Sequence, residues 1–205
     1  MFNGLIKELA NVIYFKDNIL SLKASHKPNL GDSIAVNGAC LSVIRVFKDG
    51  FDLELSNETQ KIIALENYKN LVHIEPALRY CDRIEGHLIQ GHIDGIGIID
   101  SITPTSSGTD FYIKIPKDLL IFTSKKGSIA IDGVSLTIND ITKDIIRLTI
   151  IPISFKNTLF HAYKIGQRLN IESDLFARYV ARILKYKEKT NKPSWQDIDK
   201  ISYLY

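Results

Sequence analysis

Ser33-Ile-Ala-Val-Asn-Gly-Ala-Cys-Leu-Ser-Val43 occurs twice in this chain, with a second copy from position 33 + 95 = 128: Ser128-Ile-Ala-Ile-Asp-Gly-Val-Ser-Leu-Thr-Ile138. Ser, Ile, Ala, Gly and Leu are identical, and most other positions are close exchanges such as Asn37/Asp132 and Ser42/Thr137. One exchange changes the chemistry: Cys40 in the first copy stands against Ser135 in the second. A period this long is too large for a solenoid and suits two whole domains made by duplication.

The repeat unit reads as β-structure. Residues 33–36 alternate and are rich in β-branched side chains. Asn37-Gly38 and Asp132-Gly133 are two-residue turn signals, because both residue types tolerate positive φ. Strands are expected at 39–46 and 51–56 in the first copy and at 134–141 and 145–151 in the second. Each half is therefore a short-strand meander on a small closed or nearly closed sheet.

Outward from the repeat, residues 1–7 read as an opening strand with Gly4 inside it. An interior strand glycine marks a bulge or a close backbone approach. Strands follow at 11–15 and 19–24, a helical patch at 61–65 and a closing strand at 71–75. Residues 76–85 are a polar connector. The second half opens with Gly86-His87-Leu-Ile-Gln-Gly91-His92-Ile-Asp94-Gly95, in which Gly91 corresponds to Gly4. Residues 101–110 read as a turn-rich loop, 116–124 as a short helix and 169–172 as the closing strand. Residues 174–186 differ in kind. Asp174 is a helix N-cap candidate, and Leu175, Phe176, Tyr179, Val180, Ile183 and Leu184 recur at helical spacing. This amphipathic helix has no counterpart after the first half, so its apolar face needs a partner, for which another subunit is the natural candidate. The divisions are 1–85, 86–173, a helix at 174–187 and a charged tail at 188–205.

Composition narrows the class. An apolar content of 45% with 24% charged residues is ordinary for a globular chain. No apolar run approaches the length needed to cross a bilayer. The N-terminus lacks a basic stretch and a long apolar core, so no signal peptide is expected. Two cysteines, Cys40 and Cys81, make no disulfide framework, and a reduced cytoplasmic setting follows. The net charge of +3 arises in residues 181–205, which hold six basic and three acidic side chains. The remainder is neutral and offers no basic face to nucleic acid.

These motifs together resemble riboflavin synthase of the α-chain type over about residues 1–187. The match rests on the Met-Phe-x-Gly start, Gly-Asp-Ser-x-Ala-x-Asn-Gly-x-Cys-Leu, Gly86-His87-Leu-Ile-Gln-Gly91-His92 and Asp-Gly-x-Ser-Leu-Thr, in that order within a duplicated chain. The resemblance implies an all-β fold of two tandem, closed, six-stranded Greek-key barrels and a C-terminal helix that forms a homotrimer. It implies no cofactor and no metal. The implied reaction is dismutation of two 6,7-dimethyl-8-ribityllumazine molecules. One donates a four-carbon unit to the other, giving riboflavin and 5-amino-6-ribitylamino-2,4(1H,3H)-pyrimidinedione. Pockets that react together come from adjacent subunits, and association with lumazine synthase is a further implied partnership.

The residues support that chemistry. Two identical substrates call for two similar pockets with different jobs, and the copies diverge at Cys40 and Ser135. Which copy holds donor and which acceptor stays open. The resemblance assigns chemistry to Cys40, Ser33, His92, His87 and Asp174, with His92 at the ligand and His87 in support. A near-neutral imidazole suits proton transfer from an acidic methyl group. Asp174 also fits a plain N-cap, and the two roles are compatible. Substrate contacts are expected from Gly4, Leu5 and Ile6, from Cys40, Leu41 and Ser42, and from Gly91, His92 and Ile93. Further contacts are expected after the third strand of each copy. In the first copy these are Glu54, Leu55, Ser56, Asn57, Glu58 and Thr59. In the second they are Ile151, Pro152, Ile153, Ser154, Phe155 and Lys156. Lys126, Ser135, Leu136 and Thr137 complete the set. Ser42 and Ser154 stand where the family usually has threonine, and Glu85 where it has glycine.

One alternative has the same fold: a non-catalytic lumazine-binding antenna, which holds one ligand and has lost polar groups from the second pocket. Lys126, Ser135, Thr137 and Ser154 are polar here and favour the enzyme. A flavin-dependent reductase on another small barrel is a more distant alternative.

Overall fold

A computed structural model describes residues 1–190. Twelve strands form two closed antiparallel barrels of six. The first contains β1 (Glu8–Lys16), β2 (Ile19–Lys23), β3 (Ser33–Val36), β4 (Ala39–Phe47), β5 (Gly50–Glu54) and β6 (Leu71–Pro76), in the order β1-β2-β5-β4-β3-β6. The second contains β7 (Gly95–Thr105), β8 (Gly108–Lys114), β9 (Ser128–Ile131), β10 (Val134–Thr142), β11 (Ile145–Ile150) and β12 (Arg168–Ser173). Its pairings repeat those of the first, and closure leaves no free sheet edge. A short helix follows the fifth strand of each barrel: α1 (Asn57–Ile62) and α2 (Pro152–Asn157). The C-terminal helix α3 runs from Leu175 to Thr190.

The expected turns form as read. Asn37 and Gly38 have φ of 43° and 82°, and Asp132 and Gly133 have 44° and 81°. Alternation sends Ile34, Val36, Leu41 and Val43 into the first barrel's interior, and Ile129, Ile131 and Ile138 into the second's. Both lumens are filled by these cores, so Cys40 and Ser42, and likewise Ser135 and Thr137, stand on the outer wall of their barrels.

Several expectations are corrected. Residues 1–7 do not form a strand: Phe2 makes an isolated bridge to Ile89, and the first strand begins at Glu8. Residues 101–110 are a β7–β8 hairpin, the long strands pairing Ile98–Thr105 with Gly108–Lys114. The helical patch lies one turn earlier than 61–65, because the Ser56 hydroxyl accepts from Thr59 N at 3.0 Å and starts α1 there. Helix α2, which starts with Pro152 in its first turn, went unanticipated. The tail beyond 190 lies outside the described residues. No described helix is long and apolar enough to cross a membrane.

The barrels meet at a seam where several contacts are repeated in both directions. A Cβ on Gly38 would lie 2.7 Å from Gly133 N, and one on Gly133 would lie 2.8 Å from Gly38 N. Asn37 Oδ1 accepts from His73 N, and Asp132 Oδ1 from Asn170 N. Across the seam, Asn170 Nδ2 donates to the Asn37 carbonyl, and His73 Nδ1 donates to that of Asp132. His73 Nε2 accepts from Leu159 N, which fixes the neutral Nδ1–H tautomer. Burial holds the His73 pKa down at about 4 and pushes that of Asp132 up to about 7.

Candidate functional site

The segments leading into the two barrels are exchanged. The arm around Gly4 precedes the first barrel but lies on the second: Ser135 N donates to the Gly4 carbonyl at 3.0 Å. The arm around Gly91 precedes the second barrel but lies on the first: Cys40 N donates to the Gly91 carbonyl at 2.9 Å. Ile93 accordingly packs in the first barrel's core, while Ile6 and Leu9 pack against the second's. Gly4 and Gly91 share φ of 79°, and a Cβ on either would come within 2.5 Å of Ser135 or Cys40. Only glycine serves at these two points.

A buried carboxylate clasps each arm. Glu75, at the end of β6, accepts from Asn3 N at 2.8 Å and Gly4 N at 3.0 Å. Glu172, at the end of β12, accepts from Gln90 N, Gly91 N and His92 N at 2.7–3.1 Å. Burial raises both acids, Glu75 to about 7, against the lowering effect of the backbone donors. Glu172 alone has a guanidinium partner: Arg178 Nη2 lies 3.3 Å away.

These arms run over the barrel exteriors at two repeat-equivalent surfaces, called the first and second grooves after the barrel each lies on. The second is a cavity of about 180 Å³ lined by Gly4, Leu5, Ile6, Val134, Ser135, Ile153, Ser154, Asn157 and Thr158. Carried across the repeat, those positions become Gly91, His92, Ile93, Ala39, Cys40, Glu58, Thr59, Ile62 and Ile63. The grooves therefore differ in kind. The first presents a thiol, an exposed imidazole and a carboxylate, whereas the second has a hydroxyl, Leu5 and Ile153 in their places. Ser42 extends the first wall, with Ser33 and Glu54 opposite it in register on the neighbouring strands.

The two histidines part company. His92 follows Gly91 at the first groove. His87 Nδ1 is 2.7 Å from Ser135 Oγ at the second, and its Nε2 is buried with no hydrogen-bond partner. Burial lowers the His87 pKa, and the charge of Asp174 opposes that shift. Asp174 caps α3, accepting from Phe176 N and Ala177 N. His87, Ser135 and Asp174 thus belong to one groove, Cys40 and His92 to the other.

Other expected contacts fall elsewhere. Leu41 and Leu55 point into the first barrel's core, 3% and 0% exposed, because inward alternation takes them there. Leu136 and Phe155 pack against the second core. Lys126 is exposed in the loop before β9, at φ 70°, where the first copy has Gly31 at φ 83°. Ser56 and Thr59 pair their hydroxyls at 2.9 Å, and Asn57 is tied to Asn18. Gly4, Leu5 and Ile6 join residues of the opposite half. Ile151, Pro152 and Lys156 are exposed around the start and end of α2. Sequence reading missed Asn157 and Thr158, and it missed the clasping pair Glu75 and Glu172. The matching Ile74-Glu75 and Ile171-Glu172 at the ends of the closing strands were the available signal. Among the described residues, no three His, Cys, Asp or Glu side chains converge as a metal site requires.

Comparison with known proteins agrees with this duplicated architecture. The lumazine binding domain family matches twice, over residues 3–77 and 90–174. The chain is 33% identical to a riboflavin synthase of Photobacterium leiognathi over the full length of both, and 35% identical to that of Bacillus subtilis, with 94% and 93% of the two chains covered. The chain belongs to the riboflavin synthase family. The fold of this family member is also that of LumP complexed with riboflavin, with a TM-score of 0.74 at 23% identity, covering 84% of this chain and 99% of that one. At that identity the likeness speaks for the fold alone. As a family member the chain carries both lumazine-binding domains, and each includes one of the two clasping glutamates.

Proposed function

We propose that this protein is a riboflavin synthase that dismutates two molecules of 6,7-dimethyl-8-ribityllumazine into riboflavin and 5-amino-6-ribitylamino-2,4(1H,3H)-pyrimidinedione. The observation that carries the reading is a pair of repeat-equivalent arm-on-barrel contacts, one of them lining a cavity, whose reactive positions differ: Cys40, His92 and Glu58 against Ser135, Leu5 and Ile153. A reaction between two copies of one substrate needs two sites of the same shape with different chemistry. His92, exposed at the first groove, is placed to exchange a proton with the acidic 7-methyl group. Cys40, beside it, offers a thiol where the second groove has only a hydroxyl. Ser33, Ser42, Thr59, Thr137 and Ser154 supply hydroxyls for the ribityl chain. His87, held by Ser135 and biased by Asp174, acts at the second groove.

One lumazine loses the four carbons that the other gains, so the reaction balances without an external oxidant or reductant and needs no cofactor. The enzyme works in the cytoplasm as a homotrimer. Phe176, Tyr179, Val180, Ile183 and Leu184 on α3 are each more than half exposed and form its contact, bringing the first groove of one subunit to the second of its neighbour. Lumazine synthase, as the source of the substrate, is the associated partner. The retained hydroxyls of the second groove separate this reading from a single-site lumazine carrier. Purified protein given lumazine alone tests it: one riboflavin should form, read by its fluorescence, for every two lumazines consumed. Binding without riboflavin formation would refute it.

A further inference from the structure

The two clasps are alike in kind, with two backbone amides on Glu75 and three on Glu172, and unequal in their surroundings. Glu75 holds the Gly4 arm with amide donors. Glu172 holds the Gly91 arm with donors of the same kind and also meets Arg178, from the first turn of α3. The Arg178 guanidinium is nearly buried, its side chain 21% exposed. It donates through Nη1 to Asp94 Oδ1 at 3.0 Å, and through Nη2 to Gln90 Oε1 at 3.1 Å and Glu172 Oε1 at 3.3 Å. Its partners at 90 and 94 bracket Gly91, His92 and Ile93. Asp94 is itself fixed by Ser173 N and Oγ at 2.8 and 2.6 Å. At the end of this chain of contacts, the Gly91 carbonyl accepts from Cys40 N. Carried across the repeat of the closing strands, position 178 falls on the exposed Cys81, so the Gly4 arm has no such fork.

We infer that Arg178 is a positioning residue for the first groove, locking the segment 90–94 so that His92 and Gly91 stand at fixed places beside Cys40. The inference rests on reading that groove as a substrate site. Only a planar fork can bridge three acceptors on two chain segments, so lysine is an incomplete substitute. Because Arg178 sits in α3, whatever covers that helix is mechanically joined to the first groove through hydrogen-bonded contacts, whereas the second feels the helix through the charge of its cap Asp174 on His87.

The two cysteines give a direct readout that does not depend on turnover. In the ligand-free protein, the alkylation rate of Cys40 is measured by mass spectrometry against that of Cys81, which is exposed in the connector between the barrels. Arg178→Ala should raise the Cys40-to-Cys81 ratio at least about threefold as the Gly91 arm loosens, and Arg178→Lys should fall between. Riboflavin formation in Arg178→Ala should drop by about tenfold or more. The acid limb of its kcat/KM profile should move to higher pH, since Glu172 then has Asp94 beside it and no cation. If Arg178→Ala does not fold, Arg178→Gln removes the charge and is read in the same way. An unchanged alkylation ratio, or turnover lowered equally at every pH, would overturn the inference. A raised ratio in Arg178→Ala, when the unsubstituted protein itself makes no riboflavin, would leave Arg178's positioning role standing and sink the proposed function instead.

Discussion

The groove at Cys40 and the groove at Ser135 are built from the same parts, yet they carry different side chains. Both have a glycine at φ 79° pressed on a β-hairpin and a buried glutamate clasping the arm. One has a thiol, an imidazole and an arginine-braced arm. The other has a hydroxyl bonded to His87, apolar neighbours, and an arm held by amides alone. Duplication fixed the frame, and the side chains at the grooves differ in chemistry between the copies. The difference teaches that a shared backbone can present the same ligand shape to unlike chemistry.

The strongest way to break this comparison is to remove the thiol. Cys40→Ala should lower turnover by about 10²-fold or more while weakening lumazine binding far less, because a group used mainly in the transition state appears in kcat. Cys40→Ser separates thiol chemistry from packing, and near-full activity in it would reduce Cys40 to a wall residue. Next in size are the arm glycines. Gly91→Ala combines a left-handed backbone with a Cβ 2.5 Å from Cys40 and should cost about 3 kcal/mol or more in chemical denaturation. Gly4→Ala should cost about as much but disturb binding at the second groove.

The seam gives a smaller effect with a definite sign. His73 has a depressed pKa, so the native state binds fewer protons than the unfolded chain below pH 6.5. Its contribution is complete above that pH and is lost as pH falls toward about 4, amounting to about 2 to 3 kcal/mol. His73→Asn, the residue found at the equivalent position 170, should flatten that limb in pH-dependent unfolding. Asp132, raised to about 7, pulls the opposite way as pH rises, and it is present in both proteins, so the difference isolates the histidine. Smallest is Ser135→Ala, which should weaken ligand binding at the second groove by about 0.5–1.5 kcal/mol as a lost neutral hydrogen bond does.

How much of this was legible follows from range. The repeat, the two positive-φ turns and the Asp174 cap are local and could be read directly, as could the Cys40/Ser135 exchange. The arm exchange could not. Residues 1–7 read as an opening strand, and a local reading does not say which barrel a segment lies on. Leu41 and Leu55 were read as contacts because they neighbour groove residues, but the period of two turns them inward. Arg178 gives no local signal, because its partners at 90 and 94 lie 88 and 84 residues away. His87 and His92, five apart, looked like a pair until the arm's path separated them.

The central claim is that both grooves of one chain hold lumazine and that they are unlike. Cys40→Ala slows turnover enough for an equilibrium titration with 6,7-dimethyl-8-ribityllumazine itself, followed by its fluorescence. Two ligands per chain should bind with distinct affinities, and Gly4→Ala added to that protein should remove one of them. A single ligand per chain, or two indistinguishable ones unaffected by the Gly4 change, would contradict the account.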